Sequence, residues 1–217
     1  LIVKNEPFTV VRLGVGSETF LSYEFIHKKQ INIKYLHPEL LTLYNAGIYT
    51  KNKDLNLIEL FCKFYNKAIE NSDCLASFSR TSVREIQNWY SQNYSLKQIH
   101  SRALEPFYII LQNEIPWTHS LKGKKVLIIN PFVESFKKQL KNNFKIFKNQ
   151  KLFLDGQEFI FYKSFQTIAG NHIHDNWFQT FKIMCDDISN INFDIALLGC
   201  GGYGLPLCHF IKSKIHN

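Results

Sequence analysis

Two glycine-bearing stretches carry the residue types that hold phosphate. "RLGVGSE" (Arg12–Glu18) ends an apolar run in an arginine, two glycines and a carboxylate. "GCGGYG" (Gly199–Gly204) ends another and leads into a helical pattern. Glycines let a backbone approach a ligand closely, and the first turn of a helix offers N–H groups with no partner inside the helix. Arg12 could add a bidentate contact to the same anion, and Tyr203 could stack on a base or a sugar ring. Glu18, in the first helical turn, reads as a base, a metal ligand or a residue placed by the helix dipole. Gly199, Gly201 and Gly204 also fit G-x-G-x-x-G. A dinucleotide site needs a further strand with an acidic residue about 20 positions on, and only one helix's worth of chain follows Gly204.

"AGNHIHDNW" (Ala169–Trp177) is the third candidate. His172 and His174 alternate as two imidazoles can on one face of an extended segment, so they are the weak candidates for a metal. Against a metal role for this segment, Asp175 stands equally well as a helix N-cap. The chain has no Asp-x-Asp pair, no P-loop and no G-x-S-x-G elbow. A divalent metal is therefore possible without being supported by its usual motif, and the cofactor stays unknown.

These residues need elements to position them. Three segments repeat an apolar run, a Gly or Pro break and a helical period: Phe8–Ile26, Lys124–Leu140 and the stretch from Phe193 onward. Their strands are expected at the start of the first, at Val126–Ile129 and at Asp194–Leu198, with Pro131 suited to a helix start and a further strand in Glu158–Phe165. The middle differs. From His37–Gly47 through Asp54–Glu70 to Ser82–Asn93 apolar residues recur at helical spacing, with Ile58, Phe61, Cys62 and Tyr65 on one face. The reading is a single α/β domain over 1–217: a Rossmann-like parallel sheet with helices on both faces, and a mainly helical insertion at 37–115. Ligands of such sheets gather at the carboxyl ends of the strands, so the glycine breaks should share one edge, with Asn130 ending the second strand there.

Composition narrows the partners. The net charge is +8, yet it comes overwhelmingly from lysine, with arginine only at 12, 80, 84 and 102. The densest cluster, Phe136–Lys151, reads as the wet face of an amphipathic helix, which argues against a nucleic-acid partner. Five cysteines without a C-x-x-C pair argue for a reducing compartment, with Cys62 and Cys185 as core fillers. No apolar stretch reaches the roughly 20 residues of a transmembrane segment, and a cytoplasmic location is expected.

"SLKGKKVLIINPF" (Ser120–Phe132) followed by "DIALLGCGGYGLPLCHFIK" (Asp194–Lys212) resembles a little-characterised family often found with surface-polysaccharide genes. "VVRLGVGSE" (Val10–Glu18) resembles the N-terminal Arg-x-Gly…Glu strand–loop of GT-D-type glycosyltransferases. The resemblance implies transfer of a sugar from a nucleotide-sugar donor to a glycan acceptor, in a chain that continues past this point with another strand. On it, Arg12 and Gly14 match the Arg-x-Gly, and Glu18 the acidic end of the motif. Glu18 and Asp175 become the catalytic candidates. Arg12, Gly14, Gly16, Asn130, Gly199, Gly201, Gly202, Tyr203 and Gly204 become the substrate-binding set. The family's Asp two residues before the Glu is Gly16 here, which leaves metal dependence open. Two other readings remain: a Rossmann-type binder of a dinucleotide or methyl donor at Gly199–Gly204, and a non-catalytic protein of the same fold holding a glycan or a partner chain.

Overall fold

A computed structural model of the chain describes residues 6–31, 46–50, 54–79, 81–141 and 151–214. The expected helical stretch before Gly47 and the lysine-rich segment beyond Lys141 lie almost wholly outside them. The architecture is mixed α/β with two small parallel sheets. The first has the order β1-β2-β3, from Val10–Val11, Cys74–Ser77 and Lys97–His100; the second has the order β5-β4-β6, from Lys125–Asn130 (β4), Glu158–Lys163 (β5) and Ile195–Leu198 (β6). All pairings between these strands are parallel, with Val10 opposite Cys74 and Val126 opposite Ile195.

Among the described residues seven α-helices connect and cover these strands: α1 Ser17–Lys28, α2 Leu55–Glu70, α3 Thr81–Asn93, α4 Pro106–Leu111, α5 Val133–Lys141, α6 Trp177–Ser189 and α7 Gly204–Lys214. Their ends follow local chemistry. Asp54 opens α2 by accepting from the Asn56 N–H at 2.9 Å, and Asn176, not Asp175, caps α6 by accepting from the Gln179 N–H. Pro131 sits in the turn before α5, which starts at Val133.

The single sheet expected from the sequence is thus found as two. Among the described residues no strand bridges β1 and β6. The middle region is also more than an insertion of helices, since it carries β2 and β3. Both are four residues long, and β3 alternates no apolar side chains, so neither left a strand signal.

One apolar core nevertheless takes side chains from both sheets. Val11, Leu13 and Leu75 pack in the same cluster as Leu127 and Ile129, under α1, α2, α6 and α7. Val126 and Ile128 point to the other face, where Leu121, Trp117 and Phe136 cover them. Strand β4 is therefore buried on both sides, as its continuous apolar run demands. The predicted stripe of α2 (Ile58, Phe61, Cys62, Tyr65) is wholly buried. Burial pushes the Cys62 and Cys185 thiols up to about 12, in keeping with core fillers rather than nucleophiles.

Polar groups tie the layers at two points. At the base of β1, Asp73 Oδ2 accepts from the Thr9 N–H and from Lys212 Nζ, each at 2.6 Å, and Lys212 also donates to the Asn71 carbonyl. Deeper in, Asn66 donates to the carbonyls of Ser22 and Cys62 while its Oδ1 accepts from the Tyr90 hydroxyl, joining α1, α2 and α3. Tyr90→Phe removes that donor and leaves the buried Oδ1 unsatisfied. It should lower stability by about 1–3 kcal/mol in urea unfolding, with an unchanged denaturant slope.

Candidate functional site

A cleft of about 1430 Å³ lies between β1 and β6, and both glycine turns open onto it. Arg12, Gly14, Val15 and Glu18 line one side of its upper edge, and Asn130, Gly199, Gly201, Gly202 and Gly204 the other. Apart from Val15, which the sequence did not single out, these are predicted residues, brought together at the carboxyl ends of the strands, whereas Gly16 is not among the lining residues.

The first turn is shaped from below. The Thr19 hydroxyl donates to the Gly14 carbonyl at 2.7 Å, which leaves Tyr65 as the donor in its 2.9 Å bond to Thr19. Gly16 occupies the N-cap position of α1 with no side chain to cap it. The Glu18 side chain folds back over the turn instead. A Cβ at Gly14 would lie 1.6 Å from Glu18 Oε1, so a side chain there would make the Glu18 carboxyl swing out of the turn. Desolvation raises the Glu18 pKa, opposed by a hydrogen bond from the residue's own N–H. The neighbouring Tyr65 phenol is raised mainly by burial and then by the Glu18 charge.

Arg12 is engaged. Nη1 donates to Glu105 Oε1 at 2.7 Å, and the guanidinium lies 5.5 Å from the Phe78 ring centroid. Its side chain is 39% exposed and that of Glu105 32%, so the pair is wet enough to exchange partners. Neither Glu105 nor Phe78 was a candidate. Glu105 lies 93 positions from Arg12, and its only local signal is a Glu-Pro pair at a helix start.

The second turn is built differently. Asn130 Nδ2 donates to the Gly199 carbonyl at 3.0 Å while Oδ1 accepts from the Phe132 N–H, so Asn130 pins the turn to the end of β4. Gly202 is pressed against residue 46, where an added Cβ would meet the Ala46 carbonyl at 2.6 Å. Tyr203 is not a ligand platform. It is buried, stacks on Trp177 with ring centroids 5.0 Å apart, and shares a 2.8 Å hydrogen bond with Thr167. Gly204 has right-handed helical backbone, and a Cβ there would find nothing within 4 Å.

The histidine segment stands elsewhere. Asp175, His172 and His174 are not among the residues lining the cleft. The Asp175 N–H donates to Gln179 Oε1, and its charge adds to the burial that raises the Tyr49 pKa. His172 stacks on Tyr49 with centroids 4.1 Å apart, and His174 Nδ1 shares a 2.8 Å bond with Thr180. Asp175 therefore stands apart from the cleft and from Glu18. The two imidazoles have separate partners, and among the described residues no three His, Cys, Asp or Glu converge as metal ligands.

Glu18 carries a testable electrostatic signature. Its folded pKa exceeds its unfolded one, so its contribution is most favourable below the ordinary glutamate value and is lost as pH rises through the folded pKa. Glu18→Gln removes that loss. Urea unfolding from about pH 4 to about pH 7.5 should show the variant gaining on the parent as pH rises, with the difference flattening near pH 4.

No protein-family model, no curated protein and no solved structure matches this chain.

Proposed function

We propose that the chain is a Rossmann-like, nucleotide-sugar-dependent glycosyltransferase whose donor diphosphate sits at the second glycine turn. The observation that carries the reading is the convergence of two glycine-bearing strand-to-helix turns on one cleft, with a desolvated carboxyl group folded over the first of them. The first turn is already filled by Glu18, so the open space for an anion is beside Gly204 at the start of α7. Arg12 reaches the diphosphate by exchanging Glu105 for phosphate oxygens. An acceptor hydroxyl then attacks the anomeric carbon, its proton passes to Glu18, and the bond to the diphosphate breaks. The leaving charge rests on Arg12 and the turn amides. Nothing in this sequence of steps requires a metal or excludes one. The five free thiols accord with the cytoplasmic setting in which nucleotide sugars are made.

Thermal shift against UDP, GDP, NAD and S-adenosylmethionine, each with and without Mn²⁺, tests the reading. A nucleoside diphosphate should raise the midpoint. Arg12→Ala should weaken that binding about 10- to 100-fold, and Glu105→Gln should strengthen it by freeing the guanidinium. A merely structural ion pair moves neither. Gly204→Val places its side chain in open space, so it should keep the parent midpoint and lose the response to diphosphate. A response to NAD or the methyl donor alone overturns the transferase in favour of another cofactor. Silence across the panel overturns it in favour of a binding protein.

A further inference from the structure

The second glycine turn has two sides. Gly199, Cys200 and Gly201 line the large cleft and also a separate cavity of about 220 Å³. The walls of that cavity come from the carboxyl ends of β4 and β5. Pro131 and Phe132 follow the first of these strands, and Phe165 and Ile168 follow the second. The Ala46–Gly47 segment completes the lining. Phe132 is 60% exposed, so its ring has surface left to meet a ligand.

What the cavity can hold follows from the polar groups around it. The Thr167 hydroxyl donates to the Gly47 carbonyl at 2.6 Å, so Tyr203 is the donor in its 2.8 Å bond to Thr167. The carbonyls of Gly199, Cys200 and Gly201 accept from Asn130 Nδ2 and from the N–H groups of Tyr203 and Gly204. Among the described residues no lysine, arginine or histidine lines the cavity. A phosphate would find no cation there, and a sugar would bury hydroxyls without partners. A flat heteroaromatic ring meets both limits, because its faces are apolar and its polar atoms lie in one edge. Gln166, half-buried at the same cavity, offers such an edge a donor and an acceptor in one carboxamide plane.

Asn130 ties this cavity to the turn. Its Oδ1 accepts from the Phe132 N–H at 2.8 Å while its Nδ2 donates to the Gly199 carbonyl at 3.0 Å, so one carboxamide sets the aromatic residue and the turn relative to each other. The path between cleft and cavity runs over Gly199–Gly201. Gly201 has a φ of 60°, which favours glycine, and the Cys200 side chain is buried, so the crest is bare backbone. We propose that the cavity receives the nucleobase of the nucleotide whose diphosphate lies in the cleft beside Gly204, with Phe132 stacked on the ring and the ribose over the crest. The inference rests on the nucleotide reading above and divides the donor between two compartments. The base lies on the side of β4 and β5, and the diphosphate with the reacting sugar on the side of Arg12 and Glu18.

Titration calorimetry with UDP, GDP, NAD and inorganic pyrophosphate tests it on the parent, Phe132→Ala, Phe132→Trp and Arg12→Ala. Loss of a base–aromatic stack corresponds to about 5- to 100-fold in Kd. Phe132→Ala should weaken the nucleoside diphosphate by that factor and leave pyrophosphate unchanged. Phe132→Trp should restore the parent affinity, and the new indole should be quenched by nucleotide and not by pyrophosphate. Both substitutions are at an exposed ring and should keep the parent's unfolding midpoint. Arg12→Ala should weaken nucleoside diphosphate and pyrophosphate alike, since a guanidinium meets phosphate and not the base. Binding that depends on Arg12 and not on Phe132 overturns the base cavity and leaves the transferase standing. So does an equal loss of diphosphate and pyrophosphate in Phe132→Ala, because the ring then acts only through the turn. Binding of NAD alone, weakened by Phe132→Ala and restored by Phe132→Trp, supports the base cavity and overturns the transferase. Silence to all four ligands overturns both.

Discussion

Asp73 is the constraint on which the geometry of the cleft depends. Among the described residues no ladder of backbone hydrogen bonds connects β1 to β6, so their relative position rests on the helices beneath them and on the one carboxylate that holds both ends. The Asp73 side chain fixes the first amide of the β1 segment and the far end of α7, which is the helix that follows β6. Its backbone N–H and that of Cys74 bond to the Thr9 carbonyl, so the same short stretch also sets where β2 begins. The two glycine turns sit at the opposite ends of these strands. The clamp at the foot thereby decides how far apart the turns stand at the top.

The sheets divide the work of burial unevenly. Strand β4 has partners on both edges and layers on both faces, and it holds the fixed end of the Asn130 contact to the second turn. Strand β1 has only two residues in regular pairing, and the residues just beyond it, Arg12 and Leu13, feed directly into the first turn. The rigid half of the site is thus the Gly199–Gly204 side, and the adjustable half carries Arg12 and Glu18. That division suits a site in which a phosphate is held by fixed backbone while side chains exchange partners around it.

Much of this arrangement was legible in the residue pattern. The apolar runs of β4 and β6, the glycine breaks and the stripe of α2 each carry a local signal strong enough to place an element. β2 and β3 carried none, because Cys74–Ser77 is too short and Lys97–His100 is an exposed edge. Parallel topology puts each turn at the carboxyl end of its own sheet, and the helices and Asp73 bring the two sheets' turns onto one cleft. The state of each side chain carried no such signal. That Tyr203 spends its ring on Trp177, and that Arg12 is held by Glu105, are contacts between residues far apart in sequence. Asp175 and Asn176 are adjacent and equally able to cap, and which one does so is decided by the path of the 46–50 segment, where the Tyr49 carbonyl accepts from the Trp177 N–H.

Trp177 lies between two parallel rings, Phe181 at 4.9 Å and Tyr203 at 5.0 Å, with interplanar angles of 10° and 4°. Tyr203 is itself part of the second glycine turn. The indole's excited state is therefore coupled to a ring that moves whenever that turn moves, in a fully buried setting. The fold has built its own optical gauge: the near-ultraviolet dichroism of this aromatic column registers the posture of the turn, without any label being attached.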